Sequence, residues 1–362
     1  MNYYRVHPLP HGNKIAAVNH IKAKIVQLYS ARLARGNIEL QYLDVLEKER
    51  TTVYQMIKGR RRRVQRTITP VHDPASGVPT TTTRSVVIAF STFLRHKYSP
   101  LLVDEESIRH MVQAGVSRLS AEWRDAHDRR LTSDELTAAF TKEDTKKAPG
   151  RDRIGLSLFQ ATWDALKFDW LDLFSEMFAP GNLTEQQKRG VVVCIPKTTR
   201  PNQQFDYRPI TLLNTDYKIL ARIVANRIRL ALEDLLHPSQ FCGRPGKTIF
   251  EAIASVREAI ALAEVKRGPL CILTLDFKEA FDRMSHTYLF AILHSYGFSD
   301  SFVERIRHMY ENATSMVQVN GYMSAPFPIQ CSVRQGCPLS MTLFTLCINP
   351  LIVFTSNDFG AF

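Results

Sequence analysis

Apolar positions recur at helical spacing along most of the chain, and two short stretches read as apolar runs at the length of a strand. Ile21, Ile25, Leu28 and Tyr29, then Ile38, Tyr42, Leu43 and Leu46, predict helices within residues 13–66. Residues 67–83 are rich in Pro, Thr and Gly and read as a short hairpin or loop. Residues 84–98 return to helix, with Val87, Ile88, Phe90, Phe93 and Leu94 on one side. Thr132-Ser133-Asp134-Glu135 has the residue types of a helix start. Trp163, Leu166, Trp170, Phe174 and Met177 form one stripe over residues 159–178, which is the core face of an amphipathic helix.

The first apolar run, Val191 to Ile195, predicts a buried strand ending at Lys197. Asn214 or Thr215 caps the next helix, whose Tyr217, Leu220, Val224, Ile228 and Leu235 face inward. Arg222, Arg227 and Arg229 fall on its other faces, where solubility is reason enough for them. The second run, Leu270 to Leu275, predicts another buried strand, which delivers Asp276 to its end. A helical register follows, with Ala280 and Phe281 inward. Residues 288–310 predict supporting helices that bury Leu289, Ile292, Leu293, Phe302, Ile306 and Met309. Residues 315–321 and 324–329 alternate as strands about an Asn320-Gly321 turn.

Composition narrows the class. The chain has 362 residues, enough for two or three structural units, and its 44% hydrophobic content is globular rather than disordered. A formal charge of +12 points to a polyanionic partner. Residues 1–10 hold no apolar leader core and no run of 18 apolar residues occurs, so neither secretion nor a membrane span is expected. The six cysteines show no CxxC pair and no zinc spacing; they read as reduced core thiols of an intracellular protein. Six cations stand within residues 58–66, among them Arg60, Arg61, Arg62 and Arg63. They suit phosphate contacts, a localisation signal or a solvated helix face.

A carboxylate at the end of a buried run is costly unless a cation or a donor meets it, which makes Asp276 a metal-ligand candidate. Alone, such an Asp is more often salt-bridged or a helix cap. Its company changes the reading. Upstream stand Cys194-Ile195-Pro196-Lys197 and Asp206-Tyr207-Arg208-Pro209-Ile210-Thr211-Leu212-Leu213-Asn214; downstream stands Gln330-Cys331-Ser332-Val333-Arg334-Gln335-Gly336-Cys337-Pro338-Leu339-Ser340. This ordered set, over roughly residues 140–352, resembles the reverse transcriptase of non-LTR (LINE-like) retrotransposons. Group II intron maturases and telomerase-like enzymes are weaker matches.

The resemblance implies an α+β, right-hand polymerase fold. A basic helical extension (residues 1–125) would precede a fingers region (126–235) and a partial palm (236–362), with no thumb. It implies RNA-directed DNA synthesis with an RNA template, a DNA primer, dNTPs and Mg2+, or Mn2+ in its place. Asp276 would be the catalytic aspartate and a metal ligand, helped by the carbonyl of Phe277. Lys197 and Arg208 would reach the triphosphate, where fixed cations stabilise the leaving pyrophosphate. The amides of Glu279 and Ala280 would face the same group. Phe281 would exclude a ribose 2′-hydroxyl, favouring deoxynucleotides. Gln335 would touch both nucleotide and template, with Gly336 allowing close backbone approach. Arg244 and Gly246 would lie near the template, and the basic residues Arg60 to Arg63 would grip RNA.

Departures from the family pattern are also visible. Arg151 and Arg153 replace Pro and Gly, either straining a turn or adding phosphate contacts. Cys242 and Gly243 replace Gly-Phe, Ser332 replaces a Gly, and Met341 replaces a Pro. The family's paired aspartates are missing: no Asp-Asp occurs anywhere in the chain. A chain cut off inside its palm is therefore expected, inactive alone. The alternative is a non-catalytic nucleic-acid-binding remnant. Asp282 reads as a salt bridge on the side of a helix.

Overall fold

The computed structural model describes residues 68, 71–72, 77, 79–113, 115–141 and 147–359. The helices expected within residues 13–66, and Arg60, Arg61, Arg62 and Arg63, lie outside them. The second of two compact units, Ile68–Trp163 with Trp170–Phe362, holds all that follows except the middle of one helix.

A mixed sheet forms around β1 (Gly190–Pro196), which β-branched residues fill as a strand interior favours. β1 runs antiparallel to β2 (Tyr207–Leu212) and parallel to β3 (Thr314–Val319). In the parallel pair Val191 stands opposite Met316. β4 (Tyr322–Met323) and β5 (Phe327–Pro328) pair antiparallel with β3. Asn320 and Gly321 turn the β3–β4 hairpin at φ +51° and +89°, the two left-handed positions of a type I′ turn. Between β1 and β2, the Asp206 carboxylate accepts from the N–H groups of Asn202 and Gln203, each at 3.0 Å, and closes the loop.

Helix α1 (Thr83–Lys97) covers one face of this sheet. Val86, Phe90 and Leu94 pack on Val192, Tyr207, Val317, Val319 and Phe327, and the Phe90 ring meets Tyr207 edge-on at 5.2 Å. Ile88, expected on that side, is exposed: two residues past Val86 it has turned about 200° around the helix. Before α1, the His72–Pro79 bridge gives the hairpin expected there.

The helical layer centres on α7 (Thr215–Leu235), buried along most of its length. It packs on α3 (Ala121–Asp128), α4 (Ser133–Thr141), α6 (Glu185–Lys188) and α11 (Ser340–Phe359). Arg227 was expected to do no more than solubilise this helix, yet it is buried. Its guanidinium donates to Glu135 at 2.7 and 3.0 Å and to the carbonyls of His127, Arg129 and Arg130, and so caps the end of α3. Glu135 in turn closes the α4 start with Thr132, as the sequence suggested. Burial opposes ionisation of Glu135, but hydrogen bonding and charge from Arg227 win and hold its carboxyl below the usual 4.5. In α5 (Leu156–Phe178), Trp170, Phe174 and Met177 are buried, and the helix breaks at Leu166 (φ −121°, ψ 19°). α9 (His286–Ser295) and α10 (Asp300–Tyr310) bury all six residues named for them, and α2 (Glu105–Val112) packs on α9 and α11.

Two expectations fail between α7 and α9. Residues 270–275 form no strand: Leu273 is 77% and Leu275 61% exposed, because no other strand lies beside them among the described residues. The preceding α8 (Ile249–Lys266) buries no side chain either, which leaves Ile249, Phe250, Val256 and Val265 in solvent. After Asp276 the chain makes consecutive turns instead of a helix. Of the cysteines, Cys331, Cys337 and Cys347 are core residues, and burial pushes the Cys194 thiol up to about 12; Cys242 and Cys271 are exposed, against expectation. Among the described residues no helix is long and apolar enough to cross a membrane.

Candidate functional site

The Gln335-Gly336 loop is locked to β2. The Thr211 N–H donates to the Gln335 carbonyl at 2.7 Å, and Gly336 turns away at φ +105°. A Cβ on Gly336 would lie 2.5 Å from the Thr211 carbonyl oxygen, so only glycine fits. The close approach expected of this glycine is therefore made to the protein's own strand. Beneath the loop Arg334 is 2% exposed, and its guanidinium donates to the carbonyls of Lys188 (2.6 Å) and Met309 (3.3 Å) and to the Tyr217 hydroxyl (2.7 Å). The Ser340 hydroxyl donates to the Arg334 carbonyl at 2.8 Å and ties the loop to the start of α11.

The turns after Asp276 are bound to the same loop. The Val333 N–H donates to the Phe281 carbonyl (2.9 Å) and the Ser332 N–H to that of Met284 (2.7 Å). Phe281 is half-buried and stacks on Phe344 of α11 with ring centres 4.8 Å apart. Asp282 is buried and pairs with Lys97 at 2.8 Å. It also accepts from Gln335 Nε2 at 3.0 Å on each oxygen. It therefore joins α1 to the Gln335 loop, where a pair on the side of a helix was expected. Glu279, also paired to Lys97 at 2.8 Å, takes up the left-handed region at φ +61°.

Asp276 and Phe277 precede these turns and are exposed. Among the described residues no three His, Cys, Asp or Glu side chains gather where they could hold a metal ion. One exposed carboxylate does not fit a two-metal centre, which needs several acids around each ion pair.

A cleft of about 640 Å³ opens beside Gly336, Cys337 and Pro338. Ile210 and Leu212 of β2 line it, with Lys147, Lys218, Arg222 and Arg229. Lys218 also donates to the Ala148 carbonyl at 3.0 Å. Arg208 alternates onto the same β2 face as Ile210 and Leu212 and is exposed; its register partner is Ile195. Lys197 lies just past β1 and donates to the Phe205 carbonyl at 3.0 Å. Arg208 thus shares its face of β2 with two residues of the cleft wall. Lys218, Arg222 and Arg229 were missed as a group in the sequence, although their spacing of four and seven puts them on one stripe of α7.

The loop with Arg244 and Gly246 stands apart from these contacts. Arg244 faces Glu233 at 3.9 Å, while Gly246 sits at φ +76° in open space. Gly243, at φ +73°, packs against Thr345 of α11, so the Cys242-Gly243 departure gives a tight helix contact. Arg153 holds φ +59°, a left-handed position that fits the turn strain named as one of its two readings and does not bear on phosphate contact, the other.

Comparison with known proteins adds the following. The reverse transcriptase (RNA-dependent DNA polymerase) family matches residues 195–360. The transposon TX1 uncharacterized 149 kDa protein of Xenopus laevis is 31% identical over 89% of this chain and 24% of its own length. The Pol polyprotein of the type-2 retrotransposable element R2DM of Drosophila melanogaster is 29% identical over 50% of this chain and 17% of its own. The RNA-directed DNA polymerase of the mobile element jockey, from the same fly, is 29% identical over 60% and 24%. The chain thus spans about a quarter or less of these relatives.

Proposed function

A reverse transcriptase domain of the non-LTR, LINE-like kind lies in this chain, and from that premise we propose that its residues serve RNA-directed DNA synthesis from dNTPs. The observation that carries this reading is the Gln335-Gly336 loop. It is clamped both to β2 and to the turns after Asp276, beside a cleft lined by Lys147, Lys218, Arg222 and Arg229. Such a cleft suits a phosphate backbone, since each neutralised phosphate releases counterions. Lys197 and Arg208 would steady the triphosphate, Phe281 would stand against a 2′-hydroxyl, and Gln335 would contact the nucleotide. The RNA template and DNA primer would follow the basic cleft, with Arg60 to Arg63 and the Arg244–Gly246 loop as further template contacts.

Asp276, with the Phe277 carbonyl, would be one ligand to the Mg2+ or Mn2+ that the family normally uses. One acid cannot supply the whole donor set. Residues 1–362 alone are therefore expected to make no DNA on a primed RNA template. Template-dependent extension by this chain, abolished by Asp276→Ala, would refute that. The lack of an acid cluster among the described residues favours a second reading, that of a nucleic-acid-binding remnant of a retrotransposon. Both readings expect salt-dependent RNA binding; only the first expects specific binding of a deoxynucleotide.

A further inference from the structure

We propose that Asp282 is a positioning residue: it fixes the Gln335 side chain with its amide nitrogen inward, so that the loop shows the incoming ligand a carbonyl oxygen, an acceptor. The geometry is closed on the inner side. Asp282 is 2% exposed. One of its oxygens lies 2.8 Å from Lys97 Nζ, and the other accepts from the Tyr98 hydroxyl at 3.4 Å. Gln335 Nε2 is 3.0 Å from both. A carboxylate paired with an ammonium offers only acceptors, so the end of the amide that faces it must be the NH2. Gln335 Oε1 is thereby turned away from Asp282, on the half-exposed side of the loop.

Lys97 is what makes this arrangement firm. It is itself buried and holds Glu279 as well as Asp282, so the carboxylate has little freedom to turn. Gln335 is further fixed through its backbone, by the bond from Thr211 to its carbonyl. An acceptor presented in this way selects a ligand with a hydrogen-bond donor, a hydroxyl or an N–H of the nucleotide. That a nucleotide is the ligand rests on the reverse transcriptase reading. The orientation of the amide does not.

The test labels the glutamines of residues 1–362 with 15N and follows solvent exchange of their side-chain amides. Beside the pairs of Gln160, Gln187 and Gln204, which donate to other acceptors, the wild type is expected to show a slowly exchanging NH2 pair that Gln335→Met removes. Asp282→Asn is expected to keep its oxygen on Lys97 and offer Gln335 an NH2, which turns the Gln335 oxygen inward and frees its amide protons to exchange. Fast exchange of the Gln335 pair, assigned in the wild type by triple-resonance connectivity, would overturn the proposal, even where the variant fails to fold. So would a pair that Asp282→Asn leaves unchanged. Affinity for Mg–dTTP gives the second readout. Gln335→Met and Asp282→Asn are each expected to weaken it about two- to tenfold, and the double variant no further, because both remove one contact. Additive losses would refute the coupling. No binding of Mg–dTTP by a wild type that shows the protected amide would refute the nucleotide reading alone.

Discussion

At Ser332 the backbone asks for a glycine. The residue holds φ +93°, its side chain is 1% exposed, and its hydroxyl has no hydrogen-bond partner. Left-handed strain and an unsatisfied buried hydroxyl each cost on the order of 1–3 kcal/mol, against about 0.5–1 kcal/mol for the extra freedom of glycine in the unfolded chain. Ser332→Gly is therefore expected to raise stability by about 1–2 kcal/mol, read from denaturant unfolding; an unchanged midpoint would contradict the strain. Gly336→Ala is expected to do the reverse, losing 2 kcal/mol or more, since the added carbon meets the Thr211 carbonyl rather than a side chain that can yield. Both positions were legible as departures from, or agreement with, a known pattern. The partnership of Asp282 with Gln335 was not, because nothing local to either residue marks a contact across more than fifty positions.

Elements whose cause is local were read well. The β3–β4 hairpin follows from Asn320-Gly321, the α4 start from Thr132 and Glu135, and the inner face of α7 from its spacing. The run at residues 270–275 was misread because apolarity says that a segment gains from burial, not which element will cover it. Arg227 was misread for a related reason: a charge on a helix looks solvated until carbonyl oxygens from another helix end are brought to it. Arg227→Met is expected to cost about 3 kcal/mol at neutral pH, since it leaves Glu135 with only the longer pair to Arg129, at 3.8 Å, and the α3 carbonyls without a donor. Because the folded state holds Glu135 below its usual value, the contribution of this pair is present above about pH 4.5 and is lost as acid protonates the folded carboxylate. Thermal melts of the two proteins should therefore converge in acid. A gap that widens there would refute the pairing.

For the whole molecule, the charge of +12 named a polyanion but could not say where it sits. The cleft beside Gly336 is the place we propose for it. Arg222→Gln and Arg229→Gln are each expected to weaken RNA binding and to reduce the slope of log affinity against log salt by about 1. Fluorescence anisotropy across a salt series measures both. An unchanged slope would put the RNA elsewhere. The uncovered apolar side chains of α8 and residues 270–275 point to self-association of the isolated chain. Ile272→Lys with Leu273→Lys should lower it in sedimentation experiments, and unchanged association would place the contact on another surface.

The parallel pairing of β1 with β3 also sets a clock on synthesis. Val191 waits for Met316, 125 residues further along, and at about 5–20 residues per second that is on the order of 10 s. Through that interval β1 and β2 can already form their hairpin, while the other edge of β1 stays open on the ribosome. Pairing of that edge between neighbouring nascent chains then competes with folding, and a slower ribosome between residues 213 and 313 would prolong the exposure rather than relieve it.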